Sequence, residues 1–293
     1  MTSLANDGRR TIVFSHANGF PAGTYRLLFE AWRAAGWQVF ALDKFGHDPA
    51  WPISSNWPQI RDQLIAFVEA HSAGRPVYLV GHSLGGFLSL LAASKRPALA
   101  RGVILLDSPV LGGWRAHSVH MMKLSGLMER VSPGRVSAKR RWQWPSAEAA
   151  YAHFAAKTAF ARWDPAVLHD YIDCGTEPDP EARLAGEPAA VRLAFRRDIE
   201  TRLYNTLPHN MDRSLHRHPP RAPVAYIAGT RSAEGRQAGL AATRALVQDR
   251  MHWIEGSHLY PMERPHETAA AVLAQLEAWE ALAEAAMPPH DPT

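Results

Sequence analysis

A chain of 293 residues with 46% hydrophobic and 20% charged residues lies inside the ordinary globular range, which excludes a disordered, collagen-like or coiled-coil protein. Its 32 basic and 28 acidic residues are interleaved, for a net charge of +4, and the one dense basic run, Lys139-Arg140-Arg141 beside Trp142 and Trp144, sits in no nucleic-acid-binding motif, so no nucleic-acid partner is expected. A single cysteine, Cys174, excludes an internal disulfide, and no apolar run reaches the roughly 18 residues of a membrane span, so a cytoplasmic protein without a secretory signal is expected.

In chain order, Thr11 to Ser15, Trp37 to Leu42, Val77 to Gly81 and Gly102 to Leu106 are short runs that are apolar at consecutive positions. Such runs suit strands covered on both faces, and the amphipathic stretches between them suit helices, so a parallel α/β sheet is expected. From about Gly112 to Pro220 there is no convincing strand pattern, only helical runs at Ala147 to Arg162, Pro165 to Ile172 and Ala189 to Leu203. That stretch is too long for a loop and reads as an inserted helical module. The alternation then returns, with strands at Pro223 to Ala228 and Met251 to Glu255 and helices at Ala233 to Val247 and Pro265 to Ala285, before a frayed tail after Met287. The expected division is a core in two parts, residues 1–111 and 221–293, with an insertion at 112–220.

Gly81-His82-Ser83-Leu84-Gly85 follows an apolar strand and precedes a helical run, which is the context a nucleophile elbow requires. The turn is sharp, and its glycines let neighbouring backbones pass while the serine hydroxyl stays exposed. A serine is a weak nucleophile until a base takes its proton. Among the 15 histidines, His258 stands just past the last strand, where a sheet's carboxyl edge places a side chain beside the elbow. The oxyanion of a tetrahedral intermediate needs backbone donors. Leu84 N–H, directly after the nucleophile, is one. Phe20 N–H, in the loop Ser15-His16-Ala17-Asn18-Gly19-Phe20-Pro21 after the first strand, is expected to be the other, with His16 orienting that loop.

With its oxyanion loop, elbow, helical insert and late histidine in this order, the chain resembles the α/β-hydrolase superfamily across Thr11 to Leu111 and Arg221 to Ala285. Asn18-Gly19-Phe20-Pro21 is similar to that family's His-Gly-x-Pro loop, with Asn18 in place of the histidine, and Asp43-Lys44-Phe45-Gly46-His47 to its Asp-x-x-Gly-x-Gly turn. Only ten residues precede Thr11 in this sequence, so the two leading strands common in the family are not expected here. The resemblance implies a triad acid three residues after a glycine ending the penultimate strand. Here Gly229 is followed by Thr230, Arg231 and Ser232, with Glu234 two residues further on. Some relatives use the end of the strand after the nucleophile helix instead, and Asp107 stands there. Asp107 is the expected acid and Glu234 the alternative.

The resemblance implies a carboxylic ester hydrolase with an acyl-enzyme on Ser83, a small-molecule ester as substrate and no cofactor. Ser83 argues against the epoxide hydrolases and haloalkane dehalogenases of the fold, which use an aspartate nucleophile. Thioesterase, lactonase and carbon–carbon bond hydrolase chemistry use the same triad, and a non-catalytic small-molecule-binding protein is the alternative from another class. The aromatics of the insert, Trp114, Trp142, Trp144, Phe154, Phe160, Trp163, Tyr171 and Tyr204, are expected mostly as its core, with Trp142, Trp144 and Trp163 as candidates for the substrate pocket. His209, His216 and His218 lack the carboxylate or thiolate partners of a metal site, so no metal is expected.

Overall fold

The computed structural model describes residues 10–286 apart from 126, 129–131 and 188. The tail after Met287 and the side chain of Trp114 lie outside the described residues. Six strands form one parallel sheet: β1 (Thr11–Ser15), β2 (Gln38–Ala41), β3 (Val77–His82), β4 (Ala100–Leu106), β8 (Val224–Gly229) and β9 (Met251–Ile254), in the order β2-β1-β3-β4-β8-β9. The strands β5 (Gln143–Trp144), β6 (Thr176–Pro178) and β7 (Val191–Leu193) make a small antiparallel sheet of their own, in the order β5-β7-β6.

The consecutive apolar residues of the strands divide between two cores, as a sheet covered on both faces requires. Ile12, Phe14, Val80, Ile104 and Leu106 face one side, where they meet Leu28, Phe29 and Trp32 of α1 (Arg26–Ala34) and Val272 and Leu276 of the C-terminal helix Pro265–Ala285. Val13, Leu79, Val103 and Leu105 face the other, against Ile60, Leu64 and Val68 of α2 (Pro58–His71) and Leu88 and Leu91 of α3 (Leu84–Lys95). Burying each such side chain contributes about 1.5–3 kcal/mol.

Between β4 and β8 the chain leaves the sheet's carboxyl edge and runs through short helices and the small sheet. Its three strands were not expected; at two or three residues each they are too short for any alternation to register. The run Ala189 to Leu203, expected as one helix, is strand β7 followed by the helix Arg197–Asn205. The run Ala147 to Arg162 is helical only over Ala147–Ala155. Likewise Ala233 to Val247 is two helices, Ala233–Ala238 and Ala241–Val247, parted at Gly239 (φ 69°). The insert is tied back to the core by Arg26 Nε donating to Asp170 Oδ1 at 2.7 Å and by Asp164 N–H donating to the Met262 carbonyl at 2.9 Å.

At the centre of the sheet the packing is backbone on backbone. A Cβ on Gly85 would stand 1.9 Å from the Ser15 carbonyl oxygen, and one on Gly81 would stand 2.2 Å from the Gly85 carbonyl carbon. Neither neighbour is a flexible side chain that can step aside. Gly85→Ala is therefore expected to lower the unfolding free energy by about 3 kcal/mol or more in urea titration. A loss under about 1 kcal/mol would mean that β1 and α3 do not meet this closely.

Candidate active site

The chain turns from β3 into α3 at Ser83, whose backbone sits at φ 54° and ψ −114°. A non-glycine residue in such a conformation costs about 1–3 kcal/mol and persists only where its surroundings impose it. Here Ser83 N–H donates to the Leu106 carbonyl at 3.0 Å, and the Ser83 carbonyl accepts from Gly86 and Phe87 N–H at 3.1 and 3.2 Å. The hydroxyl is left at the carboxyl edge of the sheet, partly exposed.

His258 comes from the loop after β9. Glu263 pins that loop, accepting from Ser257 Oγ at 2.5 Å and from Ser257 N–H at 3.1 Å, while Tyr260 OH donates to the Ile227 carbonyl at 2.9 Å. His258 Nε2 lies 3.0 Å from Ser83 Oγ, and its Nδ1 lies 2.7 Å from Asp107 Oδ2. Asp107, at the end of β4, is fully buried, and its other oxygen accepts from Tyr226 OH at 3.1 Å and Gly229 N–H at 3.4 Å. Glu234, the alternative acid, is half exposed and 4.0 Å from the same imidazole nitrogen. Ser232, at the position where the resemblance places an acid, caps the helix Ala233–Ala238 by accepting from Gly235 N–H at 3.0 Å. Burial alone would push the His258 pKa down; the hydrogen bond and charge of Asp107, with the charge of Glu234, more than offset it and hold the imidazole above its ordinary 6.5.

Two further side chains, Tyr25 and His82, lock the site together, and sequence reasoning passed over both. His82, the residue before Ser83, faces the His258 carbonyl with Nε2 at 2.9 Å, so that nitrogen has to carry the proton. Its Nδ1 then accepts from Tyr25 OH at 2.7 Å, and the same tyrosine oxygen accepts from Ala17 N–H at 3.1 Å. One chain of bonds thus joins the loop after β1, the elbow and the backbone of His258. His16, also fully buried, accepts from Phe45 N–H at 2.9 Å through Nε2 and donates from Nδ1 to the Ala17 carbonyl at 2.8 Å.

Of the expected oxyanion donors, Leu84 N–H opens α3 and has no intrahelical acceptor. Phe20 N–H instead closes a turn on the Ala17 carbonyl at 3.1 Å. The Phe20 ring packs against Trp163 and Tyr171 of the insert, both at 5.5 Å between centroids. Of the other two tryptophans, Trp144 is buried beside Phe154 in the insert's core, and Trp142 lies under the Arg197 guanidinium at 5.0 Å. Trp142 also lines a cleft of about 1130 Å³ with Lys123, Arg196, Arg197 and Arg202, a cleft that neither Ser83 nor His258 borders. His209 stacks on His120 at 4.3 Å, His216 bonds the Asp212 carbonyl and the His218 carbonyl accepts from Ser94, so the three do not converge. Among the described residues, the grouping that brings metal-ligating atoms together is Asp107, Glu234 and His258, within 4.8 Å of one another.

The model of the alpha/beta hydrolase family matches residues 12–271. The monoglyceride lipase of Rattus norvegicus is 31% identical over 128 residues, 42% of each chain, so this chain spans about two fifths of the length of that curated relative. Among solved structures, E-2-(acetamidomethylene)succinate hydrolase superposes with a TM-score of 0.70 at 20% identity, covering 92% of this chain and 91% of the other. A peroxisomal alpha-beta-hydrolase of Saccharomyces cerevisiae also reaches 0.70, at 16% identity over 99% of this chain and 82% of its own.

Burial holds the pKa of His16 down at about 4 and that of His82 at about 3, against 6.5 for the exposed ring. Below pH 6.5 the unfolded chain takes up protons that the folded one refuses, so stability falls as the pH drops from 6.5 towards 3. Denaturant titrations at pH 7 and 4.5 are expected to show this loss in the wild type and a smaller one in His82→Gln. Equal losses in both would mean that His82 is not a buried neutral group.

Proposed function

The chain belongs to the alpha/beta hydrolase family, and from that premise we propose that it is a serine hydrolase cleaving carboxylic esters through an acyl-enzyme on Ser83. The observation that carries the proposal is the hydrogen-bonded line from Asp107 through His258 to Ser83, at 2.7 and 3.0 Å. His258, neutral at Nε2, takes the serine proton as Oγ attacks the ester carbonyl, and Asp107 stabilises the imidazolium and fixes its tautomer. The oxyanion is held by Leu84 N–H at the start of α3 and by Phe20 N–H, which has to turn to it from the Ala17 carbonyl. His258 then gives its proton to the leaving alcohol, and water activated by the same base releases the acid. The similarity to a monoglyceride lipase supports an ester substrate with a lipid-like part. The aromatic contacts of Phe20 with Trp163 and Tyr171 support a role for the insert, residues 112–220, as a lid that shapes the pocket.

Ser83→Ala and His258→Ala are each expected to reduce hydrolysis of p-nitrophenyl esters by roughly 10⁴-fold, with the double variant no worse than either single one. Additive losses would separate the two residues, and a Ser83→Ala variant keeping a few per cent of the rate would end the assignment.

Asp107→Asn is expected to cost at least ~10²-fold in turnover and Glu234→Gln less than about tenfold, since only the first removes the bonded partner of His258. Because only neutral imidazole accepts the serine proton, kcat/KM is expected to rise with pH through a midpoint above 6.5, the direction in which His258 is shifted. A midpoint below 6.5 would contradict the carboxylate pairing.

A further inference from the structure

The helix Arg197–Asn205 lays Glu200 against the oxyanion loop: the carboxylate lies 3.1 Å from where a Gly19 Cβ would stand, and the Glu200 carbonyl accepts from Asn18 Nδ2 at 3.0 Å. One carboxylate oxygen accepts from Ser137 Oγ at 2.8 Å, and the other stands 2.6 Å from Arg140 Nη2. Glu200 and Asn18 are buried beyond nine tenths, and the Arg140 side chain is only 15% exposed. The bond to a carbonyl identifies which end of the Asn18 side chain is the NH₂, so its Oδ1 is an acceptor. That Oδ1 and the Arg140 Nε donor make no hydrogen bond among the described residues, and neither does the hydroxyl of Tyr171, which lies within the reach of Arg140. A buried donor and a buried acceptor left unpaired cost stability, so each calls for a partner, an ordered water or a ligand group.

We propose that Asn18, Arg140 and Glu200 form a polar subsite beside the oxyanion loop, which takes an uncharged group that both donates and accepts hydrogen bonds, a carboxamide or hydroxyl, on the ester substrate. The ion pair cancels its own charge, so a carboxylate on the substrate would meet Glu200 and an ammonium would meet Arg140. A neutral donor–acceptor group suits both. Tyr171, from the same insert, packs on Phe20 at 5.5 Å, so the loop is flanked by an aromatic wall as well as this polar one. The inference rests on the ester-hydrolase reading.

The test is kcat/KM of the full-length protein on matched aryl esters ending in methyl, carboxamide or carboxylate, in one series on the acyl side and in a second on the alcohol side. In at least one series the carboxamide ester is expected to exceed both others by roughly tenfold to hundredfold, the worth of hydrogen bonds to charged groups. Glu200→Gln leaves Arg140 without its counter-charge, and the preference is expected to move at least tenfold towards the carboxylate ester. Arg140→Lys, which keeps the charge but loses the planar fork, is expected to shrink the carboxamide advantage. A purely structural role would lower all esters in proportion and leave these ratios unchanged, which overturns the inference, as does a carboxamide-to-methyl ratio near one in both series. Labelling of Ser83 by a fluorophosphonate separates the two readings. Labelling with flat ratios removes the subsite alone, and no labelling removes the hydrolase reading and the subsite with it.

Discussion

The contact on which the rest depends is that of the Gly85 backbone with the Ser15 carbonyl, so close that a single methyl group would stand 1.9 Å from the oxygen. It draws the end of β1, the end of β3 and the first turn of α3 into one rigid junction. The oxyanion loop and the elbow are both referred to that junction. The loop from His16 to Phe20 starts there, Ser83 is the hinge of the turn, and Leu84 opens α3, whose N-terminus carries the positive end of the helix dipole. A junction of backbone atoms has no rotamers to change, so it holds the strained Ser83 conformation in a way that side-chain packing alone would not.

Around that junction the chain uses neutral histidines as struts. His16 and His82 are fully buried, and each has one ring nitrogen donating and the other accepting, a division that protonation would destroy because both nitrogens would then donate. His258 is under the opposite influence: the neighbouring carboxylates favour its charged form, while the inner rings are kept uncharged by the absence of water. Three histidines of one sequence thus take two kinds of environment, and of the three it is the one beside Asp107 that is biased to hold a proton. Glu200 is the converse case on the acidic side, a buried carboxyl pushed above its ordinary value even though Arg140 and Ser137 pull it down.

The core was legible in the sequence because its strands are fully covered. Runs such as Val77 to Val80 and Val103 to Leu106 are apolar at every position, a pattern that few structures other than a buried parallel strand produce at that length. Ser83 was legible because the elbow is a local motif. Asp107 was harder, since its partner lies 151 residues away and its neighbourhood is an ordinary strand end. Ser232 removed the usual acid from consideration, and what distinguishes Asp107 from Glu234 is burial, which only the folded chain defines. The insert was read least well. Its strands have two or three residues, and Arg140 and Glu200 appear in the sequence as one more arginine in a basic run and one more glutamate on an amphipathic helix. Tyr25 and His82 stood inside segments already singled out, but nothing in their spacing says that they bond each other.

The hydrogen bond between Ser83 and His258 spans 175 residues of chain. A ribosome adding about 5–20 residues per second makes the serine before the histidine by roughly 9–35 seconds. Throughout that interval the nascent chain holds Ser83 without the imidazole that bonds it in the folded protein. Closure of the site therefore waits on the last strand taking its place at the sheet's edge, which makes the line from Asp107 through His258 to Ser83 a late product of folding.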